Sequence, residues 1–296
     1  MASGSWITQL VPVFPLELER EMAASSPVRR NILSLMLVAW RVKEWVEPHL
    51  YRVVSNGGHY SYFPVTPPDL WLAIDNTLKP AAFWSTSVKS LFLDHTPEKE
   101  RTLDSVLTVC NGITRLFSHF PLHNHLDQLG SLRGLQRVSI GLVELFSPGA
   151  IDFSHPIFRN ISHLELLDMP TPADAPELCI GLAVLPKLTH LAFNSPRLLH
   201  AMAPLMTQFT RLRCIVLLLP EPVRPKQVDI SPGLSGDGRF VLIGQTNYSD
   251  DWMRGASGGE DYWDIAEAFI KARKTGTVDR SRFSICDADI SWRSEL

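Results

Sequence analysis

The sequence predicts an α/β solenoid of parallel strands behind a small N-terminal helical module, and three observations lead there. First, a six-residue pattern with apolar residues at its fourth and sixth positions recurs along the middle of the chain. It is clearest at Ile161-Ser162-His163-Leu164-Glu165-Leu166 and at Leu188-Thr189-His190-Leu191-Ala192-Phe193. Alternation of this kind is the period of a strand. The fourth positions fall at Leu91, Leu116, Val138, Leu164, Leu191 and Ile215, in steps of 25, 22, 26, 27 and 24 residues. Repeats of this length indicate stacked units that bury a common core. A weaker copy at Phe240–Ile243 adds a further step, centred near Leu242. Second, apolar residues at every third position lead into the strands, as in Leu129-x-x-Leu132-x-x-Leu135 and Leu182-x-x-Leu185-x-x-Leu188. Third, Leu35, Val38, Ala39, Val42 and Val46 share one face of a helix starting near Val28, which Pro48 is expected to end at Glu47.

The pattern L-x-x-L-x-x-L-x-x-L-x-L resembles leucine-rich repeats over roughly residues 86 to 245. That resemblance implies a horseshoe, with parallel strands lining a concave side and helices or irregular segments on the convex side. The asparagine usual after the strand is missing, so an uneven curvature is expected. An ordinary βαβ sheet is the competing architecture.

Composition narrows the function classes. A hydrophobic content of 45% supports a substantial core, and a formal charge of −3 gives no electrostatic case for nucleic-acid binding. Cys110, Cys179, Cys214 and Cys286 lack C-x-x-C spacing and read as reduced thiols. The N-terminal residues show no secretory pattern, and no apolar run is long enough for a bilayer. An intracellular protein of the cytoplasm or nucleus, without membrane or nucleic-acid partners, is expected.

A second resemblance lies in residues 11–54. Phe14-Pro15-Leu16-Glu17-Leu18 resembles the L-P-x-E-L opening of an F-box, Ile32–Arg41 its central apolar segment, and Leu50-Tyr51-Arg52 its close. The stretch is similar to the F-box-like N-termini of a large mushroom-fungus family of short repeat proteins. The resemblance implies a Skp-type adaptor and a cullin ubiquitin ligase as partners, with Pro15, Leu16, Leu18, Leu35 and Val38 as the adaptor-binding residues. A helical cap that only seals the first repeat is the alternative. The domains are then 1–54 for the F-box-like module, 55–87 for a linker and first cap, 88–245 for the solenoid, and 246–296 for a capping helix and tail. That helix is read at Tyr262–Arg273, with Trp263, Ala266, Phe269 and Ile270 on one face.

No catalytic, cofactor or metal site is expected. Gly255-Ala256-Ser257-Gly258-Gly259 matches G-x-S-x-G, but no strand pattern precedes the serine and no histidine follows it. His119, His123 and His125 cluster around Pro121 without further ligands at metal spacing, and read as solvated loop imidazoles. The residues expected to carry function are those of the strands that point away from the repeat core. On one side of the central apolar position these are Ser90, Arg115, Arg137, His163, His190 and Cys214; on the other, Phe92, Phe117, Ser139, Glu165, Ala192 and Val216. A basic strip beside an aromatic one is expected on an exposed concave face. Phe92, Arg115, Phe117, Arg137, His163, Glu165 and His190 are accordingly the expected partner-binding residues, taking an acidic or phosphorylated segment of an unidentified protein target. The function anticipated is substrate recognition within a ligase; a stand-alone repeat scaffold without a ligase link is the rival.

Overall fold

In the computed structural model, residues 29–56, 73–74, 78–94, 100–168, 170–171, 173–220, 229–245, 247–286 and 291–293 are described. The chain packs as two compact units that divide between Tyr51 and Arg52. Pro15, Leu16 and Leu18 lie outside the described residues.

The first unit contributes α1 (Arg29–Met36) and α2 (Trp40–Leu50), which pack against each other. The single helix expected from the apolar spacing is therefore two. Leu37 and Val38 form a turn closed by their amides on Ser34 O and Leu35 O at 3.2 and 3.1 Å, and Ala39 is extended. Pro48 does not end α2. It sits in the last turn of the helix, and the Tyr51 amide closes on Pro48 O at 3.2 Å.

The second unit is a mixed α/β structure built on nine strands. The first five are β1 (Val53–Ser55), β2 (Ser90–Leu93), β3 (Arg115–Ser118), β4 (Arg137–Ile140) and β5 (His163–Leu166). The remaining four are β6 (His190–Phe193), β7 (Cys214–Pro220), β8 (Phe240–Gln245) and β9 (Ser284–Cys286). Every neighbouring pair is parallel, and the spatial order follows the chain from β1 to β9 in one open sheet. A doubly wound sheet would reverse its order at a switch point; a solenoid-like stack does not. The connections carry α3 (Ala81–Ser87), α4 (Glu100–Val109), α5 (Leu126–Ser131), α6 (Leu142–Leu145), α7 (Ala175–Ala183), α8 (Arg197–Met202) and α9 (Pro232–Ser235).

The expected register holds from Leu91 through Leu116, Val138, Leu164 and Leu191 to Ile215, each paired with the next. The last repeat is corrected: Ile215 pairs with Phe240 and Leu217 with Leu242, so the centre is Phe240. Two strands lie outside the stretch read as solenoid. β1 straddles the expected boundary at 54/55, and β9 lies within 246–296, read as a capping helix and tail. At three residues each, neither is long enough to show alternation.

The largest departure is the last connection. Between β8 and β9 the chain forms α10 (Tyr248–Ala256) and α11 (Tyr262–Thr275). Neither seals the end of the stack. Both lie on the sheet face expected to be open, packing Trp252, Met253 and Ala256 on Val53, Phe92 and Phe117, and Tyr262, Trp263, Ala266 and Phe269 on Ala192, Cys214, Val216, Val241 and Ile243. Both faces of the sheet are buried. β7 and β8 are accordingly apolar without interruption over Ile215–Leu219 and Phe240–Ile243, as parallel strands covered on both sides are.

Leu164→Asp places a carboxylate where the native residue has no exposed surface, and should cost about 4 kcal/mol or more, enough to unfold the unit. Ile180→Lys, on the exposed side of α7, should change stability by about 0.5 kcal/mol or less. Urea denaturation of both variants checks the register, and equal loss would contradict it.

Candidate functional site

The strip expected to bind a partner is held by the protein's own chain. Its anchor is Asp261, at the start of α11. One carboxylate oxygen caps the helix, accepting the amides of Trp263 and Asp264 at 3.1 and 3.2 Å, while Asp264 returns the contact to the Asp261 amide at 3.0 Å. This is a capping box, built by side chains three residues apart. The other oxygen accepts Arg115 Nη1 at 3.2 Å and Arg137 Nη1 at 3.0 Å, joining β3 and β4 to the helix start. Asp261 is 4% exposed, and the two arginines 22% and 27%. Burial raises the carboxyl's pKa and the guanidiniums oppose that; burial and the Arg137 charge lower that of Arg115.

Gly255 makes this approach possible, because a Cβ there would run into the Asp261 carboxylate. Its neighbour Gly258, at φ 92°, reverses the chain between α10 and α11. The G-x-S-x-G string is thus a helix end and a turn. Beside it Asp251 accepts the Tyr262 amide at 3.0 Å and pairs with Arg254, and burial pushes its carboxyl up to about 7.

Glu165, expected to face solvent, is buried at the centre of the covered face. One oxygen takes hydroxyl hydrogens from Ser139 at 2.8 Å, Tyr248 at 2.5 Å and Tyr262 at 3.1 Å, from β4, α10 and α11. The other has no hydrogen-bond partner among the described residues. Burial outweighs the three bonds and pushes the carboxyl up to about 7.

His163 and His190 stack at 3.9 Å and 7°, and both meet the edge of Trp263. Nδ1 of each contacts the preceding hydroxyl, Ser162 at 2.9 Å and Thr189 at 2.8 Å, and His190 Nε2 lies 2.8 Å from Glu267. Burial lowers both pKa values, His163 to about 2 with the His190 imidazole and the Arg137 and Arg115 charges adding to the effect, while the Glu267 contact opposes it at His190. Both rings sit in a packed stack, so the exposed basic strip expected of them is not formed.

Phe92 and Phe117 stack at 4.2 Å and 10° beneath Trp252, so the aromatic area expected to be exposed is core. Each of Phe92, Phe117, Glu165 and His190 is corrected from exposed to buried for one reason: α10 and α11 cover them. Arg115, Arg137 and His163 keep part of their surface. The cell between Arg115, Arg137, Ser139, His163, Asp261 and Trp263 has about 20 Å³, room for one water. Its polar groups clamp helices to the sheet and leave no space for a substrate.

Elsewhere, His125 is buried and lies 2.6 Å from Asp104, while His119 and His123 are exposed. No group of metal-binding side chains forms among the described residues, and no described helix is long and apolar enough to cross a membrane. The Cys110 and Cys179 thiols are pushed up to about 12 by burial, which makes them unreactive.

On the first unit, Leu35 is half-buried and Val38 is 70% exposed, so the two residues assigned to one docking face differ. Among the described residues of that unit, the exposed large apolar side chains are Leu33, Leu37, Val38 and Trp40, with Leu37 at 88% and Trp40 at 69%. Trp40 is fixed by its Nε1–H on Glu44 at 2.9 Å and by Lys43 over its ring at 5.1 Å. Sequence reasoning passed over Leu37 and Trp40 because they fall off the stripe of one continuous helix.

No protein-family model, no curated protein and no solved structure matches the chain.

The buried groups set opposing pH dependences. Folded Glu165 holds its proton up to about pH 7, against a usual value of 4.5, so its contribution to stability falls as pH rises through that window. Folded His163 takes up a proton only near pH 2, against a usual 6.5, so its contribution is lost as pH falls below 6.5. Glu165→Gln should therefore steepen the loss of stability on acidification from 7 to 4.5, and His163→Phe should flatten it. Urea titrations across that range read both slopes. Two variants that follow the wild-type slope would contradict the burial of these groups.

Proposed function

We propose that the protein is a substrate-recognition subunit of a cullin-type ubiquitin ligase, its N-terminal F-box-like helices docking a Skp-type adaptor and its leucine-rich-repeat-like stack binding a protein target. One observation carries the reading: Leu33, Leu37, Val38 and Trp40 expose apolar surface within 8 residues, in a helical unit that packs separately from the sheet. Exposed apolar clusters of this kind mark interaction sites, and a helical pair presenting one suits the groove of a helical partner. The repeat sheet supplies a rigid platform for the target, as stacked repeats do. A stand-alone interaction scaffold is the second reading. It is favoured by the break at Leu37–Ala39, which interrupts the helix and leaves Leu35 half-buried while Val38 is exposed.

Leu37→Asp with Val38→Asp should abolish co-purification of a Skp-type adaptor from cells while leaving the urea midpoint of the sheet unit unchanged, because both side chains are exposed. A wild type that captures no adaptor would leave the scaffold reading in its place.

A further inference from the structure

A groove of about 670 Å³ lies between α11 and the segments that enter β7 and β8. Leu212 and Ile270 lie at its floor. Asp264 and Glu267 stand near one end of the helical wall, and Lys271 and Lys274 near the other, with Arg213 and Arg239 opposite on the segments that enter β7 and β8. The charges are not equally available. Arg239 is held by Asp237, at 3.0 Å from Nε and 2.8 Å from Nη2, and donates to Phe209 O at 2.7 Å. Asp264 is used in the capping box, and Glu267 lies on His190.

Arg213, Lys271 and Lys274 are different. They are exposed, and among the described residues no carboxylate pairs with them. Nor are the lysine side chains needed to bond the last carbonyls of the helix. Gly276, in the left-handed region at φ 81°, brings its amide to Arg273 O at 3.2 Å, and the Thr277 amide reaches Ala272 O at 3.0 Å. Three cations therefore line the groove with no carboxylate in contact among the described residues, and the acidic side chains of the same groove, Asp264 and Glu267, are bonded to Asp261 and His190.

We propose that this groove binds an extended acidic peptide segment of a partner protein. From Asp264 to Lys274 the wall is roughly 15 Å long at 1.5 Å per helical residue. That length fits about four or five extended residues at ~3.3 Å each. The two ends differ in sign, so the carboxylates of the segment lie at Arg213, Lys271 and Lys274, and an apolar side chain rests on Leu212 and Ile270. The proposal rests on the target-binding half of the reading above and gives the target its chemistry. It is independent of adaptor docking.

The test is fluorescence anisotropy with the full chain and a labelled ten-residue peptide of glutamates around one leucine. Wild type should bind it, and binding should weaken steeply between about 50 and 300 mM salt, because the contacts are exposed charges. Arg213→Glu with Lys271→Glu and Lys274→Glu should lower affinity about tenfold or more, whereas Lys187→Glu, a cation bonded to Asn160 elsewhere, should not. The neutral set Arg213→Gln, Lys271→Gln and Lys274→Gln reads the same loss if reversed charges prevent folding. A matching lysine peptide should not bind. Failure of the folded wild type to bind the acidic peptide, or equal binding by either triple variant, overturns the proposal. Adaptor co-purification, scored separately, reports on the other half of the reading.

Discussion

The Asp261 carboxylate between Arg115 and Arg137 is the constraint on which the covered face depends. It ties the start of α11 to two neighbouring strands with one side chain, and the same side chain caps the helix it begins. A buried acid carrying two cations and two amides leaves few lone pairs unused, which is the condition under which a buried charge is tolerated. From that point α11 runs across β5 to β8, and α10 returns over β1 to β3. The Glu165 hydroxyl cluster and the histidine stack then complete polar contacts in a face otherwise filled by aromatic rings.

Much of the fold was legible in the sequence, since strand register follows from positions of period two and each repeat restates the same pattern. The cover on the other face was legible only indirectly. Phe92, Phe117, Ala192 and Val216 are apolar at positions read as solvent-facing, and β7 and β8 do not alternate at all; both are marks of a sheet buried on two sides. What occupies that side was not legible. The partners are distant in sequence, 146 residues for Arg115 with Asp261 and 83 for Glu165 with Tyr248, and no local spacing encodes such pairs. The same distance explains the histidines: Trp263, which packs edge-on against both rings, is 100 residues from His163 and 73 from His190, so no local spacing shows that they are covered.

Closure of this face moves the search for a target away from the strand side chains. A repeat sheet that spends its inner surface on its own C-terminal helices gains rigidity, and its remaining surfaces are helix sides and strand-entry segments. The groove beside α11 is made of those parts. The apolar surface of the N-terminal helices belongs to the other compact unit of the chain.

The central claim, that a charge at the start of α11 fastens the helix to the sheet, is tested most directly by a double-mutant cycle between Arg137 and Asp261. Urea denaturation of wild type, Arg137→Gln, Asp261→Asn and the double variant gives the coupling energy of the pair. The contact at 3.0 Å, with the carboxylate 4% exposed, predicts a coupling of about 1.5 kcal/mol or more. Additive losses, with a coupling near zero, would mean that α11 does not rest on the strip and that the face is open.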